Sequence, residues 1–271
     1  LRDVPDDAAV VVVAGPTQEL NPDEIIALDK YLSSGGRMIL LLDPDAPRSF
    51  ASIVGEWGLN VGMKPIADAG SSVAGKPLTP LIQSANGQFY KSDASGIPIA
   101  DDVNVSFFPG VTGVGLLIEP EEMPPQISFL PLARTTNASW QESNPDNPRP
   151  DPGVDVPGPF IIAGVVEACA KLAEAPTQCY SASELTKIVV FGDSDFAKNQ
   201  FFTSQDNADL LLNSVNYLTD DYELISIRPK VFPVRQMTLT SNERGLIQWS
   251  SWLLPPVLML LMGAAIWWRR R

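Results

Sequence analysis

The chain of 271 residues contains no histidine. That absence removes Ser-His-Asp triads, Cys-His pairs, imidazole general bases and His-based zinc sites together. Cysteine is nearly as scarce, with Cys169 and Cys179 alone. Two thiols without histidine do not make a metal site. Flanking a polar, Pro-containing stretch, they are placed to close a small disulfide loop on the outer side of a membrane. The alternative is a pair of reduced, half-buried thiols. Basic residues are also few, 19 against 32 acidic, and without the three terminal arginines the balance is 16 against 32. So acidic a surface repels nucleic acid, and no basic patch with interleaved aromatics interrupts it.

What the chain does have is one long uncharged run at its end, from Trp249 to Trp268, closed by Arg269, Arg270 and Arg271. A helix over this stretch covers about 30 Å, the thickness of a bilayer's hydrocarbon core. Indole rings at Trp249, Trp252, Trp267 and Trp268 favour the headgroup level, and clustered arginine favours the cytoplasmic side. The run therefore predicts a single span in a bacterial cell membrane, with the C-terminus inside and the main domain extracytoplasmic. Pro255 and Pro256 lie a third of the way in, where they remove helical hydrogen bonds and predict a kink. The chain begins at Leu1 without a signal peptide, so an exported domain implies further sequence upstream, including another membrane segment.

The preceding residues alternate strands and helices. Residues 8–15 form a β-branched run with the character of a strand buried on both faces. Asn21, Pro22, Asp23 and Glu24 supply a cap, a first-turn proline and acidic residues for the positive helix end. Ile25, Leu28 and Leu32 follow at helical spacing, Gly35 and Gly36 end the helix, and residues 37–43 are a second buried strand. This βαβ unit predicts a parallel sheet. Residues 49–60 suggest a short helix, and residues 103–108, 115–119 and 127–133 suggest strands. The segment 136–159, with Pro145, Pro148, Pro150, Pro152, Pro157 and Pro159, reads as an extended surface loop. Further strands are expected at 160–169, 186–192 and 223–228, and a helix at 208–218. Thr240 to Glu243 form a capping box that starts a helix leading into the span.

Among local motifs, Gly70 to Pro77 nearly matches a phosphate-binding loop. Its last position fails, since Pro77 has neither the hydroxyl for Mg²⁺ nor a backbone N–H, so the stretch reads as a surface loop. Two Asp-x-Asp pairs, Asp43/Asp45 and Asp193/Asp195, each follow directly on a buried strand. Ligands of open parallel sheets bind outside the carboxyl ends of strands, so neighbouring strands would place these carboxylates on one rim fit for a divalent cation. The plainer alternative is that each aspartate caps a helix or makes an Asx-turn. Ser194 has no histidine partner and no Ser precedes a Lys by three residues, so no catalytic constellation assembles.

From residue 187 onward an ordered series emerges. It comprises Lys187 to Phe202 (KIVVFGDSDFAKNQFF), Asn207 to Asp221 (NADLLLNSVNYLTDD), residues 224–230 (LISIRPK), 237–240 (MTLT) and the terminal WWRRR. This series, with Leu20 to Glu24 and Leu32 to Pro44 near the start, resembles the GldG-like family, membrane-anchored auxiliary subunits of gliding-motility-type ABC transporters. The resemblance implies an α/β domain with a mostly parallel sheet flanked by helices, flavodoxin- or amidotransferase-like but without an amidotransferase's Cys-His pair. It also implies partnership with an ABC permease and a separately encoded ATPase.

The resulting expectation is an extracytoplasmic α/β domain over residues 1–236, a capped juxtamembrane helix start over 237–248, a transmembrane helix over 249–268 and a cytoplasmic arginine stop over 269–271. The domain is expected to be non-catalytic, without cofactor or metal, and to bind substrate, a glycan or an envelope protein beside the permease. Its candidate rim comprises Asp43, Asp45, Gly192, Asp193, Ser194, Asp195 and Asn199. Rival readings are a membrane-tethered, divalent-metal-dependent hydrolase using the Asp-x-Asp pairs and a purely structural membrane tether.

Overall fold

The computed structural model of the protein describes residues 3–117, 127–170, 185–221 and 241–270. Its first unit is strand β1 (Val11–Ala14), helix α1 (Pro22–Ser33) and strand β2 (Arg37–Leu41), with β1 and β2 parallel. The helix starts where the sequence places it. The Asn21 side chain accepts from the Glu24 amide and the Glu24 carboxylate accepts from the Asn21 amide, each at 3.0 Å. Helix α2 (Arg48–Gly55) has only Pro47 at its cap position. Glu19, from the loop before α1, accepts instead from the Arg48 and Ser49 amides at 3.0 and 2.8 Å. A carboxylate at a helix N-terminus satisfies orphan donors and meets the positive end of the dipole.

The middle of the chain forms β3 (Leu59–Asp68), β4 (Leu81–Gln83), the one-turn α3 (Ser92–Ser95), β5 (Val105–Phe107) and β6 (Thr112–Leu116). Then come β7 (Ile127–Arg134), β8 (Ser139–Gln141), β9 (Val156–Pro157), β10 (Ile161–Cys169), β11 (Leu185–Phe191), α4 (Asn207–Leu218) and α5 (Ser241–Arg269). A five-stranded sheet has the order β1-β2-β11-β10-β7, and an antiparallel four-stranded sheet has the order β6-β3-β8-β9. The expected mostly parallel sheet is thereby corrected to a mixed one. β2 runs parallel to β1 and β11, but β10 is antiparallel to both β11 and β7. A parallel neighbour needs a crossover, usually helical. Between β7 and β10 the chain instead forms β8 and β9, so the segment 136–159, expected as a loop, contributes two strands.

β2 and β11 are buried on both faces and separate two apolar layers. Ile39, Leu41, Val189 and Phe191 face Leu210, Tyr217 and Leu218 of α4, with Phe108 and Phe196. Met38, Leu40, Ile188 and Val190 face Leu28 and Leu32 of α1 and Phe50, Ile53, Val54 and Trp57 around α2. β1 departs from expectation: it is an edge strand among the described residues, and Val12 is half-exposed. The strand expected at 223–228 lies outside the described residues, as do Thr240, Cys179 and Arg271. Cys169, at the end of β10, is disulfide-bonded.

α5 is long and apolar enough to cross a membrane over Gly245–Arg269, and none of that stretch is buried by the rest of the chain. It continues through Pro255 and Pro256 rather than ending at them. Trp249, Trp252, Trp267 and Trp268 are exposed along it, and Arg269 and Arg270 follow the last tryptophan into solvent.

Candidate functional site: an acidic rim at the strand ends

Because β1, β2 and β11 run in one direction, their carboxyl ends share one edge of the sheet. There the chain places Gly15 after β1, Asp43 after β2 and Gly192 to Asp195 after β11. Carboxylate oxygens of Asp43, Asp193 and Asp195 lie within 4.8 Å of one another. The strand-end rule thus brings three of the four expected carboxylates together. Asp45 turns outward and is exposed, and Asn199 is likewise exposed beyond the turn; neither joins the group.

Each clustered carboxylate is already engaged within the chain. Asp43 accepts from the Ser194 amide and the Ser194 hydroxyl, one on each oxygen, both at 2.7 Å. Asp193 accepts from the Asp195 amide at 3.0 Å and the Phe196 amide at 3.2 Å. This is the Asx-turn that strand-end aspartates commonly make. Asp195 pairs with Lys198 one turn on, and that hydrogen bond raises the Lys198 pKa. Asp193 is fully buried, and this desolvation pushes its carboxyl well above the ordinary range. The nearby charges of Asp43 and Asp195 push the same way, against the two amide hydrogen bonds.

Two glycines make the clasp possible. Gly15 has φ +55°, and a Cβ there would lie 2.7 Å from Ser194 Oγ. At Gly192 a Cβ would lie 2.1 Å from the Thr112 carbonyl oxygen, so only glycine lets β11 approach the second sheet. The Thr112 amide donates to the Gly192 carbonyl at 2.7 Å across this contact. Gly192 therefore joins two sheets and Ser194 joins two strand ends. The arrangement fixes the loop geometry, and the Asp43–Ser194 pair can be opened only by breaking charge-assisted bonds.

Two polar groups escaped the sequence reading. Asp68, fully buried at the end of β3, accepts from the Gly70, Ser71 and Thr136 amides and from the Thr136 hydroxyl, over 2.5–3.1 Å. It explains why the Gly70–Pro77 stretch is anchored, with Ser71 and Ser72 buried, rather than lying wholly on the surface. The strand β3 leads into that stretch, but only the short turn Val73–Gly75 follows, not the helix a phosphate-binding loop requires. The second group lies at the opposite end of the sheet. Asp220 accepts from Arg37 Nη2 at 2.6 Å and from Lys187 Nζ at 3.0 Å, and Tyr217 donates to Glu167 at 2.5 Å. Beside it a cavity of about 450 Å³ is lined by Lys30, Tyr31, Arg37 and Thr219 among others.

No protein-family model and no curated protein matches the chain. Among solved structures it is similar to one described as "mmIFT52 N-terminal domain", with a TM-score of 0.52 and 14% identity over 79% of this chain and 78% of that one. At that identity the likeness defines a shared α/β fold and nothing about the site.

Proposed function

We propose that this protein is a non-catalytic, extracytoplasmic auxiliary domain held in a bacterial cell membrane by α5 beside an ABC-type permease and its separate ATPase. The observation that carries this reading is α5 itself, an apolar helix with no part of its span buried by its own domain. An apolar surface of that length needs lipid or another protein around it. The arginines after Trp268 favour the cytoplasmic side for the C-terminus. The rim supports a binding or scaffolding role, because Asp43, Asp193 and Asp195 spend hydrogen bonds on Ser194, local amides and Lys198. The ligand would be a transported substrate, a cell-surface glycan or an envelope protein. Purification of the full chain from native membranes in mild detergent tests the reading. Co-purification of a permease and an ATPase in fixed ratio is expected; a chain recovered without either overturns it.

A second reading, a membrane-tethered metal-dependent hydrolase, is favoured by the closeness of the three carboxylates. Equilibrium dialysis with Mg²⁺, Ca²⁺ and Mn²⁺ separates the two. Stoichiometric binding lost in Asp195→Asn supports the hydrolase, and no binding removes it.

A further inference from the structure

In an α-helix each backbone carbonyl accepts from the amide four residues on. Pro255 and Pro256 have no amide hydrogen, so the carbonyls of Ser251 and Trp252 lose their helical donors, although α5 continues through both prolines. Two consecutive acceptors are thereby left on one side of a helix otherwise lined by Leu, Met, Val and Ala. Hydrocarbon supplies no donor, and an unsatisfied backbone group there is strongly disfavoured. Side chains on a helix point back toward its N-terminus, away from these carbonyls, as the Ser250 hydroxyl does in donating to the Ile247 carbonyl at 3.0 Å.

From this we infer that the Ser251–Trp252 carbonyl pair is a docking point for a transmembrane helix of a different protein, one that presents a hydroxyl or carboxamide donor at that depth. The face continues in a form suited to close approach. Trp252, Pro256, Met259 and Gly263 recur at helical spacing, and a Cβ built on Gly263 meets nothing within 4 Å. A glycine there admits a neighbouring backbone. A second copy of this chain fits less well, because a symmetric crossing sets the exposed Trp252 rings against each other. The inference rests on the reading of α5 as a membrane span and adds the chemistry of what it meets.

The test uses the full chain in its native membranes, with a photoreactive benzoylphenylalanine at position 259 on this face or at position 261 on the opposite one. Expected is a cross-link from position 259 to another membrane-spanning protein and labelling of lipid alone from position 261. Pro255→Leu with Pro256→Leu restores both amide donors within an apolar helix and is expected to lower the position-259 cross-link about tenfold. Resistance to alkaline extraction verifies that this variant remains inserted. Gly263→Leu, whose Cβ has open space beyond the helix's own backbone, is expected to lower the cross-link similarly. Cross-linking that is unchanged by the proline replacements overturns the inference, as does equal protein labelling from both faces, labelling of lipid alone or labelling of a second copy. The outcome is separable from that of the proposed function. A permease that co-purifies undiminished with the proline-replaced chain sinks only the docking point, whereas a specific cross-link to a protein that is no permease sinks only the transporter reading.

Discussion

Asp220 sits one residue pair beyond α4 with its carboxylate 2.6 Å from Arg37 Nη2, although the two are 183 positions apart in the chain. Its φ of +61° is a left-handed conformation that non-glycine residues rarely adopt. Arg37 also donates to the Leu218 carbonyl, so a single guanidinium closes the C-terminus of α4 and holds the residue that follows it. Lys187, only 5% exposed, binds the other Asp220 oxygen and lies over the Tyr217 ring.

Removing Asp220 is therefore expected to weaken the folded domain. Breaking a buried ion pair from one side costs several kcal/mol, and the one-third exposure of Asp220 reduces that to about 2 kcal/mol for Asp220→Ala. Asp220→Gly loses the same contacts but relieves the left-handed backbone, recovering about 1 kcal/mol. Denaturant unfolding of both variants in detergent, followed by near-UV circular dichroism, gives the order.

At the rim, Ser194→Ala removes one of the two bonds to Asp43 and is expected to cost about 1 kcal/mol. Asp43→Ala removes both and leaves the Ser194 amide without its acceptor, for about 2–3 kcal/mol. Millimolar Ca²⁺ or Mg²⁺ is expected to leave the wild-type Tm unchanged. A rise in Tm with metal that disappears in Asp43→Ala contradicts the clasp.

Gly192→Ala tests the junction between the sheets. Its Cβ would meet backbone rather than a flexible side chain, so relief requires moving β11 away from Thr112. Overpacking of this kind costs about 1–3 kcal/mol. The expected signature is a lower unfolding midpoint together with faster exchange of the Thr112 amide.

The pH dependence of Asp193 has a defined sign. Its folded carboxyl binds a proton more tightly than the ordinary group at 3.8, because of burial first and neighbouring carboxylates next. That preference favours the fold below 3.8 and is lost as pH rises through the raised folded value. Wild type is therefore expected to lose stability relative to Asp193→Asn across that window. Glu19 titrates in the opposite sense: its hydrogen bonds with Ser49 and the Arg48 amide lower its pKa, so its contribution is present above 4.5 and lost as pH falls through the lowered folded value. Parallel melts of Asp193→Asn and Glu19→Gln against wild type separate the two trends.

Much of this architecture was legible in the sequence where one local signal sufficed. The cap and acidic first turn at Asn21 to Glu24, the apolar runs of β2, β10 and β11 and the extent of α4 each follow from spacing or side-chain type. β3 was not legible. It pairs with β6 through Leu59 to Val61 and, after a register shift, at Pro65, and with β8 through Ile66 to Asp68, so no single alternation runs through it. The mixed sheet was hidden too, since an apolar run does not reveal the direction of its neighbour. At the rim, the position of Asp43 and Asp193 after buried strands foretold their meeting. Asp45, two residues from Asp43, faces away, and its exposure was not written in the pattern. Asp68 and Asp220 are isolated charges whose partners come from remote segments, a relationship that spacing does not encode.

Across β2 and β11 the aligned pairs run from Arg37 opposite Lys187 to Leu41 opposite Phe191. Between these ends the side chains are nearly interchangeable aliphatics, and a slip of two residues would keep every one of them on its original face. The polar ends distinguish the correct alignment: such a slip would pull Lys187 away from Asp220 and Asp43 away from Ser194 together. The two strands thus behave like a ruler marked only at its tips, with the alignment of an anonymous apolar middle written in the charges at either end.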